Sequence, residues 1–479
     1  MNELLEHPFT NAVLPHLLTI SGFLLALFLI ARLMSEKRQP GNTVAWLLVI
    51  VLIPYVGVPL YLVFGGRKLR RLMARKTRLH PTLPGPVARL AACASRPVAS
   101  TLVACGACAP VGGNQLQLLT TGQEAYAALE TAINAAEKNI HITTFILGRD
   151  DTGRRLIRLL AKRAKAGVKV RLLLDSVGCM FLSREFYAPL KKAGGEVQWF
   201  MPVWPFTSRG SANLRSHRKI AVFDHTTAIV GGHNLAREYM GPTPLKKRWA
   251  DFSAVIQGPA AMLLNEVFIA DWCFTSRQSV DVLHAEIPVE LATRVSGDAE
   301  LQVIASGPDV PGDPLYEGIV SMIQEAEKSI TIITPYFIPD DVLQRSLIVK
   351  ARAGREVTLI VPARSNHPIT DFARRYYVRE LHKAGVKIMH YQPGMMHSKA
   401  IIVDDTLALF GSANIDLRSL FVNFEIGVLI HSPAEVQLMK AWADTLMQSS
   451  KLITSEPVRR YRWLSNILED LSRLFAPLL

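Results

Sequence analysis

The chain has 479 residues, a formal charge of +14 and 49% hydrophobic residues. That length allows two or three domains with a sizeable core, and the charge favours anionic partners: phospholipid surfaces, phosphate-bearing substrates or nucleic acid. So high an apolar content at this charge speaks for a membrane part, while five cysteines in so long a chain speak against a disulfide framework.

Two apolar runs come first, 17–34 and 44–64. Each is long enough to cross a bilayer at about 20 residues per span. Glu3 and Glu6 stand where a cleaved leader would be basic, so residues 1–66 are read as a two-helix transmembrane hairpin. Pro54, Gly57 and Pro59 are expected to kink its second helix without preventing insertion. A basic run follows: Arg67, Lys68, Arg70, Arg71, Arg75, Lys76 and Arg78. By the positive-inside bias it places both termini in the cytoplasm, and it is also suited to anionic headgroups. Residues 67–112 read as a basic, Ala/Pro-rich linker, and Cys105 and Cys108 within it as an incidental pair rather than a zinc or redox site.

Globular patterning begins near Gly113. Candidate strands at 138–147, 168–174 and 196–200 alternate with helical patterns at 153–166 and 183–193. The order recurs downstream, with helix 315–327, strand 328–336, helix 340–353, strand 356–361, helix 370–384 and strand 386–391. The expected fold class is α/β: two αβα sandwich halves, 113–290 and 291–455, related by a pseudo-two-fold axis. Lys138 matches Lys328 at an offset of 190 and Pro202 matches Pro393 at 191, but the later motif is offset by only 180. Eleven extra residues therefore lie between Pro202 and His217. This insertion is read either as a solvated loop or as an overhang of the site, with Arg209 and Arg215 as phosphate contacts. Residues 456–479 read as a basic amphipathic helix with Trp463, suited to a membrane interface or to the protein's own core.

The repeated motif is the centre of the chain. One copy reads His217-Arg-Lys219-Ile-Ala-Val-Phe-Asp224 and, six residues on, Gly231-Gly232-His-Asn234. The other reads His397-Ser-Lys399-Ala-Ile-Ile-Val-Asp404, then Gly411-Ser412-Ala-Asn414. On a strand, histidine and lysine at i, i+2 share a face. Two histidines, two lysines and two asparagines meeting at one point suit a phosphodiester, whose transition state spreads charge over the non-bridging oxygens. One imidazole can attack phosphorus while the other protonates the leaving alkoxide and then deprotonates the incoming hydroxyl. Asp251 and Glu425 are candidates to hold and polarise histidine Nδ1. Asp224 and Asp404 complete the motif and are placed with it in the catalytic set, although at an odd offset of seven residues they face away if the strand persists and would then support a lysine or a turn rather than touch substrate. The paired lysines argue against a metal. A nuclease would suit the charge, but the hairpin and the C-terminus point to lipid instead, so no nucleic-acid partner is expected.

These motifs resemble the phospholipase D superfamily and, more closely, bacterial cardiolipin synthases. Further resemblance lies in Arg215-Ser-His217, in Thr334-Pro335-Tyr336-Phe337-Ile-Pro339-Asp340, in Tyr391-Gln-Pro393-Gly, and from Asn414 through Asp416, Arg418 and Ser419 to Glu425. The resemblance implies a bacterial inner-membrane enzyme with cytoplasmic catalytic domains and no metal or cofactor. Its reaction converts two phosphatidylglycerol molecules to cardiolipin and glycerol through a phosphohistidine. Carried over, His217 is the nucleophile and His397 the general acid and base, the reverse being permitted, with Glu425 serving His217 and Asp251 serving His397. Hydrolysis, or transfer from another lipid donor, are the alternatives. The family often has Trp-Arg-Asp where this chain has Trp249-Ala250-Asp251, which removes one cation from that half.

Overall fold

The structure, a computed structural model, describes residues 8–35, 40–64, 76, 96–202, 214–288, 296–310 and 312–454. The insertion around Arg209 and the C-terminal segment lie outside them. The chain divides into an N-terminal unit and a catalytic unit.

The N-terminal unit holds helices Pro8–Ser35, Pro40–Leu52 and Pro54–Phe64. The second apolar run is broken at Ile53, because proline at the next position lacks an N–H and its ring displaces the preceding turn. Leu29, Ile50 and Tyr61 form a small core, while Phe23, Phe28, Leu52 and Tyr55 are exposed. Among the described residues no helix is long and apolar enough to cross a membrane.

In the first half of the catalytic unit the strands are β1 (Val111–Leu119), β2 (Asn139–Thr144), β3 (Lys169–Asp175), β4 (Glu196–Phe200), β5 (Ile220–Phe223), β6 (Thr227–Gly231) and β7 (Ser253–Gln257). The second half has β8 (Ala299–Ser306), β9 (Ser329–Ile333), β10 (Phe337–Ile338), β11 (Glu356–Pro362), β12 (Lys387–Tyr391), β13 (Ala400–Val403), β14 (Leu407–Gly411), β15 (Ile415–Asp416), β16 (Glu425–Ile430) and β17 (Ser450–Leu452). Apart from the small β10–β15 pair, they form one sheet in the order β17-β12-β11-β9-β13-β14-β16-β8-β1-β7-β6-β5-β2-β3-β4. From β12 to β4 this order reads the same from either end once each strand is replaced by its counterpart. The pseudo-two-fold therefore passes between β8 and β1, which pair antiparallel.

Local sequence explains the covering helices. Thr121 and Glu124 form a reciprocal capping box for Gly122–Ala135, and Asp150 and Asp340 cap Asp151–Lys165 and Asp341–Arg352 through their side chains. Each side-chain cap is worth about 1 kcal/mol. Helix Pro259–Ser276 has no polar stripe; Pro259 to Cys273 are all buried against strands of both halves. Helix Pro433–Gln448 brings Trp442 to 4.4 Å from Phe252, so the core runs across the junction. Within the expected linker, residues 97–104 are helical, and Val98 and Leu102 pack with Leu315 and Ile319. Cys105 Sγ donates to Glu317 at 2.7 Å.

Candidate active site

Each motif histidine lies three residues ahead of its strand, not within it. The reason is a backbone crossing between the halves. Ser216 bridges Phe424, and Ala250 bridges Met396. His217 N donates to Phe424 O at 2.8 Å and Phe424 N to Arg215 O at 2.9 Å; His397 N donates to Ala250 O at 2.6 Å and Ala250 N to Met395 O at 2.9 Å. Each crossing sets a histidine beside the carboxylate of the opposite half. Ala250 contributes through its backbone N–H and carbonyl.

The carboxylates then engage the rings. His217 Nδ1 is 3.0 Å from Glu425 Oε2, and His397 Nδ1 is 2.6 Å from Asp251 Oδ2. Each carboxylate accepts from Nδ1–H, which leaves Nε2 for substrate. Glu425 and Asp251 are fully buried, whereas the His217 side chain keeps 12% of its surface and His397 5%. Phe145 sits edge-on to His217 at 5.1 Å, and Tyr239 and Trp249 flank His397 at 5.0 and 5.7 Å.

Lys219 and Lys399 are buried beside their histidines, donating to His217 O at 2.7 Å and to His397 O. Burial pushes the Lys219 ammonium down to about 8, against the pull of Glu425, and Lys399 down to about 7. His397 falls to about 3 through burial and the charge of Lys399, with Asp251 opposing. His217 is lowered by burial, with Glu425 opposing. Burial works to raise both carboxyls, but their histidines and the nearby lysines hold Asp251 and Glu425 below the usual range. Lys399 acts on His217, and Lys219 on His397: the two motifs form one electrostatic site.

Asn234 Oδ1 accepts from Ile146 N at 3.1 Å, and Asn414 Nδ2 donates to Ser419 Oγ at 3.3 Å. Both amides are buried just beyond their hairpins. Asp224 and Asp404, placed with the catalytic set by their motif, belong elsewhere. Asp224 accepts from the N–H groups of Glu137, Lys138 and Asn139, and Asp404 from those of Glu327, Lys328 and Ser329, at 2.7–2.9 Å. Each carboxylate is thus a lock on the start of β2 or β9, at the far end of its strand from the histidine. Arg215 is also displaced from its expected role. It is buried, donating to Met201 O at 2.9 Å and lying 3.9 Å from Asp175, and Asp175 in turn accepts from Ser216 N.

Two further groups complete the site. Ser412 Oγ donates to Glu425 Oε2 and accepts from Ile426 N at 3.0 Å. Its position in Gly411-Ser412 was the available signal. His233 is buried with Nδ1 2.8 Å from Ser253 Oγ and feels the charge of Asp251; it stands inside Gly231-Gly232-His-Asn234, but Ala413 holds its place in the other copy, so the repeat gave no signal for it.

A family model described as "Cardiolipin synthase, PLD-like domain" matches residues 129–272 and 319–447, and one described as "Phospholipase_D-nuclease N-terminal" matches 23–66. The chain belongs to the phospholipase D-like cardiolipin synthase family. Both motifs fall inside the matched catalytic segments. A cardiolipin synthase of Geobacillus kaustophilus is 34% identical over 459 residues, covering 93% of this chain and 90% of the relative. The major cardiolipin synthase of Bacillus subtilis is 32% identical over 488 residues, covering 96% of this chain and 100% of the relative. Among solved structures, phosphatidylserine synthase of Haemophilus influenzae superposes with a TM-score of 0.58 at 18% identity, over 76% of this chain and 95% of that one; this likeness concerns the fold.

Proposed function

We propose that this family member is a cardiolipin synthase: it moves a phosphatidyl group from one phosphatidylglycerol to a hydroxyl of a second and releases glycerol. The observation that carries the reading is the crossed pairing of His217 with Glu425 and of His397 with Asp251. In the assignment we favour, His217 Nε2 attacks phosphorus, the P–O bond to glycerol breaks, and His397 gives the departing alkoxide its proton. His397 then takes a proton from the acceptor hydroxyl, a new P–O bond forms, and the P–N bond breaks. Lys219, Lys399, Asn234 and Asn414 supply donors to the non-bridging oxygens as charge develops there. The reverse assignment is favoured by one observation. His397 is driven down to about 3, which suits a neutral nucleophile.

The acceptor is what separates synthase from hydrolase. Phosphatidylglycerol labelled in its headgroup is expected to release one glycerol for each cardiolipin formed, and phosphatidic acid as the main product would replace this reading with hydrolysis. The N-terminal unit is proposed as the anchor, a hairpin in the bacterial inner membrane with both termini and the catalytic unit cytoplasmic. Its two apolar runs, its exposed apolar side chains and the basic run that follows support this. The full chain is expected to stay with membranes through alkaline extraction; release into the supernatant would remove the anchor.

A further inference from the structure

Arg218 lies between His217 and Lys219, so alternation turns it to the opposite side of the extended segment. It is wholly buried. Nε donates to Glu425 O at 3.1 Å, Nη1 to both oxygens of Asp271 at 2.8 and 2.9 Å, and Nη2 to Ser306 O at 3.2 Å and to Asp309 at 3.4 Å. One guanidinium from the first half therefore clasps the strand that carries Glu425. It alone cannot balance two buried carboxylates.

The second cation comes from far away in sequence. Lys76 Nζ pairs with Asp271 and lies 2.6 Å from Asp309, and it sits 4.6 Å from the centre of the Phe424 ring, next to Glu425. The four charged side chains have at most 1% exposure. The opposite half-site has no such support at the equivalent position: Ser398 stands there, its hydroxyl donating to Ala250 O at 3.3 Å.

We infer that Lys76 is a positioning residue for the His217–Glu425 pair: it neutralises the Asp271–Asp309 pair, so that Arg218 keeps its hold on Glu425 O. A buried carboxylate left without its partner is strongly unfavourable. Removing Lys76 would draw Arg218 toward the surplus charge and away from the Glu425 carbonyl. Lys76, one member of the basic run read as a topology signal, thereby acts on the catalytic pair. The inference rests on His217 acting in catalysis, and not on which molecule accepts the phosphatidyl group.

The test uses the full chain in detergent with phosphatidylglycerol and, separately, a chromogenic phosphodiester. Absence of cardiolipin from the wild type would count against the proposed function, while the comparison of variants with wild type on either substrate bears on Lys76. In Lys76→Met, kcat is expected to fall about tenfold or more with KM within about twofold. The pH limb set by His217 should move to higher pH, because an added buried negative charge favours the imidazolium. Lys76→Met combined with Asp309→Asn restores neutrality and should recover most of kcat and the original limb. Wild-type kcat and pH profile in Lys76→Met, even with a lowered Tm, would overturn the inference. If Lys76→Met does not fold, the double variant decides: wild-type kcat and limb support the inference, and low kcat or failure to fold overturns it.

Discussion

Glu425 and Asp251 do the same work in the two halves, but they reach their histidines by different constructions. In one half-site the longer Glu425 receives the Ser412 hydroxyl, and that hydroxyl, not the carboxylate, takes the following amide, Ile426 N. In the other, Asp251 itself takes the following amide, Phe252 N, at 2.8 Å. Gly232 stands where the counterpart has Ser412, because a Cβ there would meet Asp251 Oδ1 at 2.1 Å. Chain length and hydroxyl have been traded together. Behind the first pair lies the buried ionic cluster around Arg218; behind the second are Ser398 and the packed rings of Phe252, Phe410 and Trp442. The two halves supply equivalent frames, and the proposed transfer, with one histidine as nucleophile and the other as acid and base, needs the two histidines to differ.

The largest effects are expected at the histidines. His217→Ala and His397→Ala should each lower cardiolipin formation by about 10⁴-fold or more, with the double variant no worse than the singles, because the two act as one unit. A lipid-labelling assay on the purified full chain reads this directly. Next come the carboxylates: Glu425→Gln and Asp251→Asn each replace a charged acceptor by a neutral amide whose NH2 can face Nδ1 and favour the wrong tautomer, and turnover should fall by about 10³-fold. The traded positions should then respond unequally. Gly232→Ser crowds Asp251 and should cost about 1–3 kcal/mol of stability. Ser412→Gly loses a hydroxyl bridge worth about 1 kcal/mol and should slow turnover by about tenfold. Urea unfolding and steady-state rates of the two variants test this; equal responses would dissolve the distinction between the half-sites.

The pH dependence of stability sharpens the same contrast. His397 is near 3 in the folded chain, against about 6.5 when unfolded. Between those values the unfolded chain binds a proton that the folded one does not, so stability should rise with pH across that window. In His397→Ala the rise in Tm from about pH 4 to 6.5 should be shallower than in wild type. The smallest effect on catalysis belongs to the turn carboxylates. Asp224→Ala and Asp404→Ala should each cost about 1–3 kcal/mol of stability while kcat of the folded enzyme stays within about twofold.

Much of the site was legible because the motif spacing is local. His217, Lys219 and Asn234 had to come together on one hairpin, and the odd offset of Asp224 already turned it away from substrate. The frame was harder to read. β1 carries two glycines and two glutamines, which hide a central strand, and helix Pro259–Ser276 is buried on every side, its Asn265, Glu266 and Asp271 included, so no amphipathic periodicity marks it. Arg215 was misplaced because its partner, Asp175, is forty residues upstream, and Lys76 meets Asp271 across 195 residues. Contacts over such separations are set by topology, which a linear pattern does not display.

On the proposed mechanism the two half-sites form one catalytic centre with divided labour. Rapid acid-free quenching of turnover with phosphorus-labelled phosphatidylglycerol, followed by peptide mapping, tests it most directly. Covalent label is expected on one histidine alone, absent when that residue is replaced by alanine. Label on both His217 and His397, surviving in each single variant, would mean two independent sites and would contradict it.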